Sequence, residues 1–244
     1  MRAKSATIAG STTHPLGVDA ALASGKRLSR EARRAQILEQ AADYFAEYGL
    51  TAHTRGLADA CGISQRLLYR MFPTKAALLE EVYRTAILGA FRREWLPPLR
   101  DRSVPVRERL CRFYQAYHAG VLTRSWMRLF LYASLAEADM APNYIGDIVT
   151  SLLDTIVEEV AHEQSIALPA DKPFLNEVGW TLHGAVSHLA IRRHLYRASR
   201  HVPVEHVVEL HVTAFVDGFR GMIDSRDTTH PSRAANAPEP KVVN

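Results

Sequence analysis

Residues 53 to 75, His-Thr-Arg-Gly-Leu-Ala-Asp-Ala-Cys-Gly-Ile-Ser-Gln-Arg-Leu-Leu-Tyr-Arg-Met-Phe-Pro-Thr-Lys, admit few backbone arrangements. Leu57, Ala58 and Cys61 recur at helical spacing and give a short helix one apolar face. Gly62 can take the left-handed conformation that ends this helix and turns the chain. Ile63 fills the corner, and Ser64 is a good N-cap for a second helix running to Phe72. Leu68 and Phe72 lie one turn apart and pack inward, which leaves Gln65, Arg66, Tyr69 and Arg70 on the outer side. Pro73 stops the second helix, and Thr74 can cap the next.

A helix held in this way can lie in the major groove of DNA with its N-terminal residues at the base edges. The charge agrees. No acidic residue occurs from Gly62 to Leu79, whereas Arg66, Arg70 and Lys75 are basic, a surface that phosphates favour. On these residues alone, an ordinary corner of two helices with a solvated basic face remains the alternative.

A longer run carries more information. Residues 35 to 50 (Ala-Gln-Ile-Leu-Glu-Gln-Ala-Ala-Asp-Tyr-Phe-Ala-Glu-Tyr-Gly-Leu), then 53 to 75, then 76 to 82 (Ala-Ala-Leu-Leu-Glu-Glu-Val) resemble the N-terminal domain of the TetR family of transcriptional regulators. The resemblance rests on Phe45-Ala46-Glu47-Tyr48-Gly49, on Leu57-Ala58-Asp59-Ala60-Cys61-Gly62-Ile63-Ser64, and on Leu68-Tyr69-Arg70-Met71-Phe72 followed by Lys75 and Leu78. It implies an all-α protein in which an N-terminal helix-turn-helix domain is joined to a helical ligand-binding and dimerisation body. It also implies DNA contacts: Thr54, Tyr69 and Lys75 on phosphate, and Arg55, Gln65 and Arg66 on bases, with Ser64 and Arg70 completing the DNA-facing set.

The chemistry suits those roles. Tyr69 lies one turn beyond Gln65, where its hydroxyl can reach a backbone oxygen, and Lys75 adds a cation to the start of the next helix. The arginine forks fit guanine O6 and N7, and Gln65 fits adenine. Four residues depart from the family pattern. His53 replaces the usual capping hydroxyl, Gly56 adds flexibility inside the first helix of the motif, and Leu67 replaces a hydroxyl that commonly meets phosphate. Arg66, often a small residue in the family, shifts the expected base preference.

The remaining pattern divides the chain. Residues 1–29 read as a disordered basic arm whose Lys26 and Arg27, with Arg30, could touch phosphate or the minor groove. Residues 30–90 form the DNA-binding domain with its motif at 53–72, residues 91–226 the helical body, and residues 227–244 a disordered polar tail. Apolar periodicity predicts helices over 30–48, 74–91, 106–123, 125–138, 144–164, 173–198 and 203–223. Trp95-Leu-Pro-Pro-Leu99 breaks the pattern, and 100–105 and 166–173 read as loops. Arg33 and Arg34, near the start of the first helix, could meet the DNA backbone.

For the body, the resemblance implies a homodimer formed through 173–198 and 203–223; burial of both helices inside one subunit is the alternative. Aromatic residues crowd the middle helices, where such residues are usually core. By resemblance the body encloses an apolar pocket, with His118, Trp126, Tyr132, Trp180 and His183 as lining residues and a small hydrophobic or aromatic inducer. No metal is expected, because the spacings from His183 through His188 to His194, and from His201 through His206 to His211, do not share one helical face. Gly-x-Ser-x-Gly, phosphate-loop, dinucleotide and paired-zinc patterns are absent, so no catalytic residue and no cofactor is expected.

The chain has 244 residues, a formal charge of +4 and 47% hydrophobic residues, enough for a sizeable core. Its two cysteines, Cys61 and Cys111, suit a reducing compartment. With no apolar run of ~18 residues and no secretory leader, a cytoplasmic protein is expected. The whole reads as a dimeric repressor that a ligand releases from a roughly palindromic operator in double-stranded DNA. A DNA-binding regulator or activator without an inducer is the alternative.

Overall fold

Helix α1, Arg30–Tyr48, is the post on which the N-terminal helices assemble. Ser29 caps it by accepting from the Ala32 amide at 3.1 Å, and Gly49 ends it at φ 83°. Its buried face is Ile37, Leu38, Ala41, Ala42, Phe45 and Ala46. Against that face pack Leu57 and Ala58 of α2 (Thr54–Ala60), Leu68 of α3 (Gln65–Met71) and Leu78 and Val82 of α4 (Lys75–Val82). Each fully buried Leu or Phe here contributes about 1.5–3 kcal/mol. The computed structural model describes residues 29–136, 144–196 and 202–229, and among them every regular element is helical.

A single helix was expected from 74 to 91. Instead α4 ends at Val82 and the chain passes through a wide π turn, Tyr83–Ile87, and a tight 3-10 turn, Leu88–Ala90. Two side-chain hydrogen bonds accompany the change. The Thr85 hydroxyl donates back to the Glu81 carbonyl at 2.8 Å, a bond that competes with the helix ladder. Farther on, the Trp126 indole N–H donates to the Ile87 carbonyl at 3.3 Å. The Leu-Pro-Pro-Leu segment, read from sequence as a break, closes a short helix, α5 (Leu96–Leu99). Its prolines occupy the first turn, where no amide donor is needed.

The body then adds α6 (Val106–Gly120), α7 (Arg124–Leu135), a π turn at Ile145–Val149 leading into α8 (Thr150–Glu163), α9 (Lys172–His194) and α10 (Val204–Thr229). Helix α6 stops short of residue 123 because the Thr123 hydroxyl turns to cap α7, accepting from the Trp126 amide. The boundary expected at residue 226 falls inside α10, which runs on to Thr229. Arg226 anchors that last turn by pairing with Asp171 at 3.3 Å. The basic arm, apart from Ser29, lies outside the described residues, as do 230–244 and the expected helix ends near 138 and 198.

Two polar joints tie the helices together, one buried and one at the surface. In the first, Arg109, with only 2% of its side chain exposed, pairs with Glu159 at 2.8 Å and donates to the carbonyls of Val104 and Leu99. Arg102 grips the same carboxylate through two bonds, at 3.1 and 3.0 Å. Glu163 accepts from the Val106 amide at 2.6 Å and so caps α6. The second joint ties α7 to the end of α1. Arg128 donates to the Ala46 carbonyl and, at 3.0 Å, to the Glu47 carbonyl, while Arg124 pairs with Glu47 and Ser125 donates to Asp43, both at 2.8 Å. Among the described residues no helix is long and apolar enough to cross a membrane.

Candidate nucleic-acid interface

The turn between α2 and α3 is built from short-range bonds. Gly62 sits at φ 62°, a conformation that costs glycine little and other residues more. Ser64 caps α3 by accepting from the Leu67 amide at 3.2 Å. His53 occupies the N-cap of α2 without a side-chain bond, so that helix starts on backbone contacts, with the His53 carbonyl accepting from Leu57 at 3.4 Å. Gly56 was expected to loosen α2. Instead it makes room: a Cβ there would fall on the Tyr44 hydroxyl, which donates to the His53 carbonyl at 3.3 Å.

Gln65, Arg66, Tyr69 and Arg70 all stand exposed on α3, as does Arg55 on α2. Three of the residues expected at DNA come together. The Thr54 and Tyr69 hydroxyls share a hydrogen bond of 2.9 Å, and Gln65 donates to Thr54 at 3.4 Å. Lys75 is half-buried and occupied: its ammonium donates to the Ala52 carbonyl at 2.8 Å and lies 5.7 Å from the centre of the Phe45 ring.

Arg34, considered for the DNA backbone, is a structural residue here. It donates to the Met71 carbonyl at 2.8 Å, lies over the Phe72 ring at 4.3 Å and pairs with Glu81 at 3.2 Å. The Glu81 carboxyl is held below its usual range, chiefly by its hydrogen bond with Arg84 and further by Arg34.

Of the five side chains expected around a ligand, Trp126, Trp180 and His183 belong to one aromatic array, in which Trp126 and His183 are buried and Trp180 is half-buried. Trp126 stacks on Phe130 at 4.8 Å and meets Tyr144 edge-on at 5.2 Å. The Tyr144 hydroxyl bonds to that of Tyr117 at 3.1 Å, whose ring lies 5.4 Å from His183. Trp180 closes the series at 5.2 Å from His183, and the Tyr114 hydroxyl is 3.4 Å from His183 Nδ1. Burial lowers the His183 pKa to about 4 and raises that of Tyr144 to about 12, so the array is uncharged at neutral pH. Tyr144 is the member that aromatic counting along the helices overlooked.

The other two side chains lie elsewhere. Tyr132 is at the joint between α7 and α1, where its hydroxyl accepts from Arg128 at 2.8 Å. His118 faces His194, with ring centres 6.1 Å apart, and its buried Nε2 has no hydrogen-bond partner among the described residues. Burial, followed by His194 and Arg193, pushes its pKa down. Among the described residues no group of three or more His, Cys, Asp or Glu side chains could hold a metal ion.

The long C-terminal helices split their apolar residues between two faces. Leu182, Val186 and Leu189 of α9, and Val208 and Phe215 of α10, are buried within the subunit. Leu210 (64% exposed) and Ala214 point outward. Gly184 on α9, with Gly218 and Gly221 on α10, has open space where a Cβ would stand.

A capped helix that presents polar and cationic side chains across a tight turn, set on an all-helical body, defines a helix-turn-helix protein. Residues 37–82 match the bacterial regulatory proteins of the tetR family. The HTH-type transcriptional repressor KstR2 of Rhodococcus jostii is 43% identical over 56 residues, a match spanning 22% of this chain and 28% of that repressor. Likeness to solved structures extends over the body. A TetR-like transcriptional regulator from Rhodococcus sp. RHA1 superposes with a TM-score of 0.61 at 21% identity, over 80% of this chain and 99% of that one. The TetR family regulator PfmR of Thermus thermophilus does so with a TM-score of 0.52 at 20% identity, over 74% and 97%. The N-terminal segment thus carries the sequence signature of that family, and the chain as a whole shares the fold of these solved regulators.

Proposed function

We propose that this protein is a sequence-specific, homodimeric transcriptional regulator, a repressor that leaves its operator when a small hydrophobic or aromatic molecule binds the body. The observation that carries the reading is the outward set Gln65, Arg66, Tyr69 and Arg70 on a helix fixed by the Ser64 cap. In the major groove, Arg55 and Arg66 read guanine and Gln65 reads adenine, each good contact discriminating by about 1–3 kcal/mol. Thr54 and Tyr69 turn their shared hydrogen bond toward a phosphate. Lys75 joins them by exchanging the Ala52 carbonyl for a phosphate oxygen.

Residues 30–90 act as the head and the helices after them as the body. Two copies meet through the outward faces of α9 and α10, where Leu210 and Ala214 are exposed and three glycines permit close approach. A two-fold pair of heads set about 34–36 Å apart reads a roughly palindromic site. A ligand favouring another spacing of the heads draws the protein off DNA in proportion to its preference. The second reading is a regulator or activator without an inducer. It is favoured by the close mutual packing of Trp126, Phe130 and Tyr144.

The test is fluorescence anisotropy on the intergenic DNA beside the protein's own gene, against a scrambled duplex. Wild type should prefer the native duplex, and the Tyr69→Phe, Arg66→Ala variant should lose that preference. Equal binding to both duplexes by wild type would overturn the reading. Light scattering that finds only monomer at micromolar concentration would remove the dimer. A panel of aromatic molecules separates the two readings: an inducer raises Tm and lowers DNA affinity together.

A further inference from the structure

Within residues 30–90, three arginines remain outside the contacts described so far. Arg30 and Arg33 stand at the start of α1, Arg70 on α3, and all three line an open groove of about 790 Å³ whose other walls are Gly62, Ile63, Ser64, Leu67 and Met71. Among the described residues none of the three makes an ion pair; Arg33 donates only to Gln36, at 3.3 Å. Their neighbour Arg34, one residue from Arg33, is consumed by Met71, Phe72 and Glu81. The fold therefore spends one of these arginines on packing and leaves three cations facing a single concave surface.

The position of this surface around α3 gives it meaning. Successive residues of a helix are rotated by about 100°. Gln65 and Tyr69 thus fall on the side of the exposed arc next to Thr54, where their hydrogen bonds run. Leu67 and Arg70 fall on the other side, toward α1, and line the groove. A helix lying in a major groove about 12 Å wide has a sugar-phosphate backbone on each flank. The Thr54–Tyr69 flank serves one strand.

We infer that the Arg30–Arg33–Arg70 groove is a second phosphate clamp, which grips the backbone of the opposite strand. This rests on the reading of α3 as the recognition helix. The three guanidinium groups neutralise neighbouring phosphates, and Ile63, Leu67 and Met71 form an apolar floor against the deoxyribose. Phosphate contacts fix register and carry no sequence information. The clamp therefore sets the strength and salt dependence of binding on any duplex, and leaves base preference to Arg55, Gln65 and Arg66.

The test uses the full chain and two duplexes, the native intergenic fragment and a random sequence of equal length, titrated across a salt series. The variant is Arg30→Gln, Arg33→Gln, Arg70→Gln. The control removes the same charge from exposed sites outside residues 30–90 and outside the groove: Arg92→Gln, Arg93→Gln, Arg112→Gln. Each phosphate contact contributes about 0.9 to the slope of log K against log salt. The clamp variant should flatten the slope on both duplexes by one to three such steps, leave the native-to-random affinity ratio unchanged and keep the Tm of wild type, while the control keeps the wild-type slope. An unchanged slope in the clamp variant, or equal flattening in the control, would overturn the clamp. Failure of the regulator reading shows separately, as a wild-type affinity ratio of one.

Discussion

Replacing Glu159 by alanine removes the acceptor of Arg109 at 2.8 Å and of Arg102 at 3.1 and 3.0 Å. The Arg102 pair is half-exposed on the arginine side (52%) and contributes little, about 0–1 kcal/mol. Arg109 is different, because its side chain is 2% exposed and the mutation leaves its charge buried. Breaking a buried pair from one side costs about 3–5 kcal/mol. The lower end applies here, since Arg109 keeps the Val104 and Leu99 carbonyls and has Glu163 at 3.6 Å. A loss of about 3 kcal/mol corresponds to a fall in Tm of roughly 6–12 °C for a chain of this size. Calorimetry at fixed protein concentration measures it, since any self-association would make Tm depend on concentration. The double variant Glu159→Ala, Arg109→Met should recover most of the loss, because no orphaned charge remains. Acid should erase the difference between wild type and Glu159→Ala. Burial works to raise the Glu159 pKa, but hydrogen bonds from Arg102 and Arg109 outweigh it, and the net direction is down. A depressed carboxyl contributes stability above its unfolded pKa near ~4.3 and loses it as pH falls through the folded value. A single variant that loses under about 1 kcal/mol, or a double variant no better than the single, would refute the argument that an unpaired buried charge is the cost.

Three other perturbations have definite outcomes. His183, neutral and buried with its pKa near 4, should make wild type lose about 3 kcal/mol as pH falls from 6.5 to 4, because the unfolded chain binds the proton first; His183→Phe should flatten that stretch of the pH–stability curve. Gly56→Ala should collide with the Tyr44 hydroxyl and cost about 1–3 kcal/mol, and adding Tyr44→Phe should restore most of it in a thermal melt. Arg128→Ala should uncap the end of α1, read as faster hydrogen exchange around residues 46–50 with exchange in α8 unchanged.

The head was legible because its signals are local. Caps at Ser64 and Thr74, the glycines at 49 and 62 and the proline stop at Pro73 each act over a few residues, so the helix limits at 30–48 and the outward set on α3 followed from local spacing. What escaped the sequence depends on partners far along the chain. Arg33 and Arg34 are alike in a string of letters, and only the fold brings Met71, Phe72 and Glu81 to Arg34 and leaves Arg33 at the groove. The last carbonyl of the π turn at Tyr83–Ile87 takes its side-chain donor from the indole of Trp126, 39 residues on. Tyr132 looked like any other aromatic of the middle helices, yet Arg128 engages it at the joint with α1. The proline pair in α5 is the reverse case, a local rule applied too broadly: two prolines end a helix but also start one.

The grip of α7 on α1 also decides what could be moved between proteins. The last carbonyls of a helix need donors from outside it, and for α1 two of those donors sit on Arg128, more than eighty residues downstream of Ala46. A chimera cut after residue 90 would transplant a helix whose end has been left behind on the donor body. The exchangeable unit is discontinuous, residues 29–90 together with 123–135, and a new body would have to bring an equivalent of Thr123, Arg124 and Arg128 to receive this head.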